Sequence, residues 1–174
     1  VTGIVLAEPD VSKRDAIAEI LGPIATTVDW SADDLPNGIA DCDATLLAGP
    51  SEAHVAQARR LVALRRPFVS TADARPVVQA LVELDAEAAS YGVTAVVGAA
   101  FSPGLSCALA RHGTAWFDEV DEVHVAWLGT GGPACAHQHH RNFAGSALEW
   151  HDGEWTQRPA GSGRELCWFP DPVG

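Results

Sequence analysis

The sequence lacks the features that would direct it to a membrane or to an oxidising compartment. No apolar run reaches the roughly 18 residues that a bilayer span requires, and the N-terminus lacks the basic-then-apolar pattern of a signal peptide. The four cysteines form no CxxC pair and are too sparse for a disulfide framework. We therefore expect a cytoplasmic protein with no membrane partner and with free thiols at Cys42, Cys107, Cys135 and Cys167.

Methionine is absent altogether, and Lys13 is the only lysine. The chain stops at "CWFPDPVG", without a terminal helix or a polar tail. From the missing initiator and this ending we expect the 174 residues to be part of a longer chain. Basic residues number 11 against 23 acidic ones, which gives a net charge of -12. This balance argues against a nucleic-acid partner, because phosphate contacts need clustered Lys and Arg. Solubility is the simplest explanation of the negative charge.

Apolar segments alternate with amphipathic ones through the first two thirds of the chain. Near-continuous apolar strands separated by helices are typical of a parallel sheet that is covered on both faces. Right-handed crossovers would join them into a doubly wound sheet. The segment between Trp30 and Ala44 is too short for another helix and strand, so we expect a shortened sheet. The predicted strands are residues 3–7, 24–30, 44–49, 67–71 and 94–100.

The helices between these strands have recognisable ends and faces. Caps favour short polar side chains, and proline favours the first helical position. A buried stripe is predicted for the first helix (Ala16, Ile17, Ile20, Leu21) and for the second (Val55, Ala58, Leu61, Val62). The predicted end signals are Asp10 or Ser12, Ser51, Ser102 with Pro103, and Gly92 after a third helix over 75–90.

The pattern changes after Phe117. "EVDEVHVAWLG" (119–129) alternates apolar and polar residues, which predicts an antiparallel strand. A helix over "ACAHQHHRNFAGSA", a hairpin turning at Asp152-Gly153 and a strand over "RELCWFP" follow. The fold class is therefore α/β: a shortened Rossmann-like doubly wound parallel sheet in residues 1–117, followed by the start of an α+β domain in 118–174.

The first strand-to-helix turn lacks the glycine-rich loop that cradles a diphosphate in dinucleotide-binding domains. It reads Glu8-Pro9-Asp10 instead, and two carboxylates there would repel a diphosphate. Their simplest role is local, with Asp10 capping the helix. Asp29 ends the second strand, where an acid would bind an adenosine ribose hydroxyl. No arginine follows it, so any dinucleotide preference would be for NAD over NADP.

Small and polar residues follow the third, fourth and fifth strands. "LLAGPSEAH" and "FVSTADA" both end strands in this way, although ordinary turns use the same residues. "VVGAAFSPGLSCALA" is more specific, because it runs from a strand through Gly98 directly into a helix N-terminus. Small residues allow a ligand to approach, and a helix N-terminus favours an anion. Ligands of open α/β sheets bind at this edge.

Together, "DATLLAGP", "PFVSTADA", "GAAFSPGLSCALA", "VDEVHVAWLGTGGPA" and "GRELCWFP" resemble the saccharopine dehydrogenase-like family of NAD(P)-dependent oxidoreductases. The resemblance covers roughly residues 41 to 174, and the family's glycine-rich loop is absent between Ala7 and Val11. It implies a second domain for substrate binding and homodimerisation. It also implies that residues near the nicotinamide and substrate include Phe101, Pro103 and Gly104. Along the cofactor cleft it implies Ala48, Gly49, Pro50, Ser70, Thr71 and Asp73.

"CAHQHHR" places three histidines and Arg141 on one predicted helix. Zinc would need further ligands at a recognised spacing, which the sequence does not provide, so no metal is predicted. Proton transfer by His139 or His140 is an alternative, as is a polar helix edge or an interface. Arg164 either pairs with Glu165 or binds a substrate carboxylate.

Three functional hypotheses remain. The first is an oxidoreductase that exchanges hydride between NAD or NADP and a small amino- or imino-acid-like substrate. The second is a Rossmann-like module that has lost its cofactor and serves as a binding or dimerisation partner. The third is a phospho-receiver domain, which the absence of an acceptor Asp after the third strand and of a lysine after the fifth argues against.

Overall fold

The computed structural model describes residues 2–30, 35–36, 38–129, 131–163 and 165–171, in two units. The first unit is Val1–Val120 and the second is Asp121–Gly174. In the first unit all five predicted strands form, each shorter than predicted, and every pair is parallel. The protein is therefore a mixed α/β chain with parallel sheets. The strands are β1 (Ile4–Ala7), β2 (Ala25–Val28), β3 (Thr45–Leu47), β4 (Phe68–Ser70) and β5 (Ala95–Val97).

Strand pairing divides these strands between two sheets. One contains β1 and β2, and the other has the order β3-β4-β5. Among the described residues no strand ladder joins the two sheets, whereas one continuous doubly wound sheet was expected. The sheets nevertheless share a core, because Val5 of β1 packs against the buried cluster built around β3 and β4.

The described part of the first unit has five α-helices, of which the last follows β5: α1 (Val11–Leu21), α2 (Ser51–Ala63), α3 (Arg75–Val82), α4 (Asp85–Tyr91) and α5 (Leu105–Thr114). Two short 3-10 helices, Gly22–Ile24 and Ile39–Asp41, lie between them. Asp10 caps α1, as one of the two predicted caps. The prediction that Ser51 caps α2 is wrong, because Ser51 is already helical and Pro50 occupies the cap position. Pro50 stays extended and its carbonyl accepts from the Ala53 N–H, so the helix begins one residue early.

The predicted single helix over 75–90 is also wrong, because it breaks into α3 and α4. Between them the Leu84 N–H bonds to Leu81 O at 3.2 Å, three residues back. This tighter turn lets Leu81, Leu84 and Ala88 all point into the core. Gly92, with φ +68°, ends α4 where a helix stop was predicted.

The core of the first unit lies against α2 and β4. Leu61, Val62 and Phe68 are almost fully buried, which confirms the predicted face of α2. The buried stripe predicted for α1 is wrong. Ile20 of α1 is 85% exposed, and α1 has no buried residue. Periodicity places apolar residues on one helix face, but burial also needs a surface to pack against.

The start of α5 is delayed relative to the prediction. Ser102 is not its cap and Pro103 is not helical, because α5 begins at Leu105 after Gly104. The loop before it closes on itself: Ala100 N–H donates to Pro103 O at 3.0 Å, and Leu105 N–H donates to Ala100 O at 3.0 Å. These bonds fix residues 100–104 as a turn rather than a first helical turn.

The second unit contains α6 (Pro133–Asn142) and an antiparallel hairpin of β6 (Ser146–His151) and β7 (Glu154–Pro159). A helix and a hairpin were both predicted, but the helix, predicted over 134–147, ends at Asn142 because Ser146 and Ala147 pair with β7. The hairpin turns at Asp152 (φ 50°) and Gly153 (φ 81°), both left-handed, as a two-residue primed turn requires. The strands predicted over 119–129 and 164–170 are wrong for the described residues, which form no strand there. Alternation of apolar and polar residues indicates which face of a strand would be exposed to solvent, but a strand also needs a neighbouring strand to pair with.

The four cysteines carry free thiols, as expected. In the part of the chain that the structure describes, no helix combines the length and apolarity needed to cross a membrane.

Candidate functional site

The turns after β3, β4 and β5 emerge side by side, and we call them together the carboxyl edge. The register pairs Leu47 with Ser70 and Ser70 with Val97, so the three strands end level with one another. The predicted cofactor-binding residues of the first unit follow directly: Ala48, Gly49 and Pro50 after β3, Thr71 and Asp73 after β4, and Gly98 after β5. The structure thus brings these predicted residues together.

Hydrogen bonds continue across the carboxyl edge beyond the strand ends. The backbone N–H and the side-chain hydroxyl of Thr71 both donate to Leu47 O, each at 3.1 Å. Ala99 N–H donates to Ser70 O at 3.0 Å. Hydrogen bonds between neighbouring segments therefore extend into the first residues of the turns after β4 and β5.

His54 of α2 is the buried polar residue of this edge that the sequence analysis missed. Only 1% of it is exposed. Its Nε2 lies 3.1 Å from Gly49 O and its Nδ1 lies 2.9 Å from Ser70 Oγ. Because a carbonyl only accepts, we assign the proton to Nε2, and Ser70 then donates to Nδ1. Burial lowers the pKa of His54, which favours this neutral form.

Ser70 completes a chain of satisfied hydrogen bonds. It is fully buried, and its Oγ accepts from Ala72 N–H at 3.2 Å while donating to His54. Ser70 was predicted to bind the cofactor, and these contacts assign it instead to supporting the carboxyl edge from inside. The available signal for His54 was its spacing, four residues before Ala58 and seven before Leu61 on the buried face of α2.

The loop from Gly98 to Gly104 presents Phe101 at the same edge. Gly98 has φ +74°, and a Cβ there would lie 3.2 Å from Pro103 Cγ. Gly104 has φ +125°, and a Cβ there would overlap the carbonyl oxygen of Ala100. Both positions therefore require glycine. The side chain of Phe101 is 46% exposed at the tip of this fixed loop.

Carboxylates of the turn after β1 accept hydrogen bonds from its own backbone. Glu8 Oε1 accepts from Asp10 N–H at 3.0 Å. Asp10 Oδ1 accepts from the N–H groups of Ser12 and Lys13 at 3.0 and 3.2 Å. The Ser12 hydroxyl, 2.6 Å from the same oxygen, is the main reason that the pKa of Asp10 is lowered. The backbone N–H groups of Asp10, Ser12 and Lys13, which a diphosphate could use at this helix N-terminus, are therefore engaged.

Asp29 lies beside an arginine that the sequence analysis did not connect with it. Arg14 Nη1 of α1 donates to Asp29 Oδ1 at 3.2 Å. These two residues, with Thr27 and Val28, line a pocket of about 320 Å³ at the end of β2. Arg14 precedes Asp29 in the chain, and the parallel pairing of β1 and β2 brings α1 to this position.

The predicted catalytic residues belong to the second unit. His139 and His140 lie exposed on α6, and the His139 ring meets Trp127 edge-on, with centroids 5.7 Å apart. Arg164 lies outside the described residues.

His124, which was not predicted, forms a hydrogen bond with Glu122 at 2.9 Å and lies 3.5 Å from Glu165. The hydrogen bond with Glu122 is the main cause that raises the pKa of His124. No three potential metal ligands cluster among the residues that the structure describes.

No protein-family model matches this chain, and the search of curated proteins gave no match.

Proposed function

We propose that this chain carries the cofactor-binding part of an NAD(P)-dependent oxidoreductase similar to the saccharopine dehydrogenase-like enzymes. A Rossmann-like arrangement would bind the nicotinamide along the carboxyl edge. The substrate would be a small amino- or imino-acid-like molecule, and the protein would act in the cytoplasm as a homodimer. His139 and His140 are the candidates for proton transfer, and Arg164 is the candidate for binding a substrate carboxylate.

One observation carries this proposal: three level strand ends deliver small residues and Phe101 to one firmly held edge. Gly49 follows β3, Gly98 follows β5, and the hydrogen bonds of Thr71 fix the turn between them. Parallel α/β sheets bind ligands at this edge, where backbone and ring can approach a flat heterocycle. Phe101 offers an aromatic surface on which a nicotinamide can stack.

The test is a titration of the chain with NADH and NADPH. Energy transfer from the six tryptophans to the reduced nicotinamide would report binding. We expect saturable binding that Phe101→Ala weakens about tenfold, the loss of roughly one aromatic contact of 1.4 kcal/mol. Phe117→Ala is the matched control, because Phe117 is exposed in the same unit but lies beyond the far end of α5. No binding of either nucleotide by the wild-type chain, or equal effects of the two variants, would refute the proposal.

The acidic turn after β1 favours a second function, a non-catalytic Rossmann-like binding or dimerisation module. Asp10 engages the N–H groups of Ser12 and Lys13, which a diphosphate would otherwise bind. A chain whose backbone N–H groups are engaged in this way could keep the fold without binding the cofactor. Sedimentation of the chain, together with assays of amino-acid-dependent reduction of NAD and NADP, separates the two. Turnover with any substrate removes the module hypothesis, whereas a nucleotide-independent dimer without turnover supports it.

A further inference from the structure

Four of the eleven basic residues of this acidic chain lie together at the end of α2. Two of them belong to the helix near its end, and the other two follow it within three residues. An α-helix rises 1.5 Å per residue, so the four positions extend over only about 10 Å. Three of these side chains are exposed and the fourth is half-buried. We call them the arginine patch: Arg59, Arg60, Arg65 and Arg66.

Arg65 is held in place by its backbone and by an aromatic ring. Its φ of 55° lies in the left-handed region, where a helix usually ends on glycine. The Arg65 N–H donates to Val62 O at 2.9 Å, and the Arg66 N–H donates to Leu61 O at 2.8 Å. The guanidinium lies over the ring of Tyr91, 5.5 Å from its centroid, at a cation–π distance. A side chain fixed in this way loses little freedom when it binds an anion.

Most of the charge of the patch has no counter-charge. No ion pair joins Arg59, Arg65 or Arg66 to a carboxylate within the part of the chain that the structure describes. Cations this close to one another repel. A partner with several carboxylates would relieve that repulsion and accept charge-assisted hydrogen bonds from the guanidinium groups. The patch therefore fits a carboxylate-rich segment of protein.

The chain itself carries such a segment just beyond α5. "DEVDE" (118–122), which we call the acidic segment, places four carboxylates in five residues. All of it is exposed, and it lies in neither a helix nor a strand. Glu122 bonds His124, and the other three acids form no ion pair among the described residues. Five residues reach at most about 17 Å, a span comparable with that of the patch. Trp116, two residues upstream, is 76% exposed and offers a ring on which an arginine can stack.

We propose that the arginine patch binds the acidic segment of a second copy of this chain. Each copy carries one patch and one segment, so a two-fold pair of chains makes the contact twice. The net charge of -12 repels a second copy at long range, and the local match of opposite charges is what orients the two copies. The inference does not rest on the proposed oxidoreductase, since the patch and the segment are both separate from the carboxyl edge.

The experiment is sedimentation equilibrium of the 174-residue chain and of two charge variants. The patch variant carries Arg59→Glu with Arg66→Glu, and the segment variant carries Asp118→Arg with Glu119→Arg. We expect wild type to dimerise and each variant to do so at least about tenfold more weakly, because each contact loses two exposed ion pairs. An equimolar mixture of the two variants should associate more tightly than either alone. In the mixed pair the intact patch of one chain meets the intact segment of the other, which also shows that both variants are folded.

The control variant combines Asp15→Arg with Glu19→Arg. Both positions are exposed on α1, and the net charge changes by the same amount as in the segment variant. The control should dimerise at least as tightly as wild type, because overall repulsion is reduced. Equal losses in the control and the segment variant, or a mixture that associates no better than its components, would overturn the inference.

A wild-type chain that stays monomeric at a concentration of about 0.1 mM would overturn it too, and would leave the patch to a partner other than this chain. The titration with NADH decides the proposed function separately. A charge-dependent dimer that binds no NADH supports the patch assignment and refutes the oxidoreductase. A chain that binds NADH and whose self-association ignores the patch variant does the reverse.

Discussion

Ser70 at the end of β4 donates its hydroxyl proton to His54 Nδ1 across 2.9 Å in the interior of the first unit. The other ring nitrogen of His54 lies 3.1 Å from Gly49 O, so one side chain of α2 ties the turn after β3 to the end of β4. Both side chains are buried, and burial makes an unpaired partner costly. The carboxyl edge is therefore supported from inside the protein by a short polar chain.

Replacing His54 by leucine should destabilise the first unit by about 2–4 kcal/mol. The substitution leaves the Ser70 hydroxyl and Gly49 carbonyl without their partner, and each buried unsatisfied group costs about 1–3 kcal/mol. The measurement is urea unfolding followed by circular dichroism. Adding Ser70→Ala to His54→Leu should cost less than the sum of the two single changes, because the residues are directly paired. Strict additivity would show that the pair is not coupled.

The lowered pKa of His54 predicts a loss of stability as the pH falls. Burial places its folded-state pKa below the ordinary value of about 6.5, although Gly49 and the charge of Glu52 oppose the shift. Above about pH 6.5, His54 is neutral in the folded and the unfolded protein, so its ionisation does not change the free energy of unfolding. Below it the unfolded chain binds a proton first, so the free energy of unfolding decreases until the pH falls through the folded-state pKa.

The check compares wild type with His54→Gln from about pH 8 to about pH 5. Subtracting the two unfolding curves removes the other histidines, which titrate in both proteins. The free energy of unfolding of wild type minus that of His54→Gln should shrink as the pH falls through about 6.5. A difference that stays constant across this range would mean that His54 binds protons equally in the folded and unfolded states.

The sequence predicted the five strands and most of the α-helices of the first unit because each carries a local signal. The apolar runs around Leu47 and Val69 gave the strands, and Gly92 and Asp10 marked helix ends through backbone freedom and capping. Local signals failed where packing decides whether a residue is buried, or where pairing decides whether a strand forms. Ile20 has the right periodicity but remains exposed, and the alternating residues around Val125 form no strand.

The candidate site was predictable in its backbone and not in its side-chain contacts. Small residues after strands indicated the carboxyl edge directly. The pairing of His54 with Ser70 joins residues 16 apart, and that of Arg14 with Asp29 joins residues 15 apart. Such contacts depend on which strands are neighbours, and single-residue propensities contain no information about that. The register of β1 with β2 and of β3 with β4 supplies it.

Gly104→Ala should destabilise the first unit by roughly 2–4 kcal/mol. The backbone there has φ +125°, and the new methyl group would overlap the Ala100 carbonyl oxygen, so the loop that presents Phe101 must rearrange. Gly113→Ala in α5 is the matched control, because no atom outside the neighbouring helix backbone lies within 4 Å of its added Cβ. Alanine there should stabilise by about 0.5–1 kcal/mol. Thermal unfolding measures both, and similar shifts of the same sign would contradict the prediction.

Asp10→Ser should open the turn after β1 to an anion while keeping α1 capped. Serine accepts from the same backbone N–H groups as aspartate but carries no charge, so the midpoint of thermal unfolding should change little. Asp10→Ala removes the cap as well and should lower that midpoint.

If the chain binds a dinucleotide, both variants should bind NADH more tightly than wild type, because a carboxylate no longer faces the diphosphate. The tryptophan energy-transfer titration measures this, at low salt where the charge is least screened. Asp15→Ser removes an acidic residue further along α1 and is the control for net charge. Equal gains in Asp10→Ser and Asp15→Ser would assign the effect to overall charge, and no gain in either would show that the Asp10 carboxylate does not limit binding.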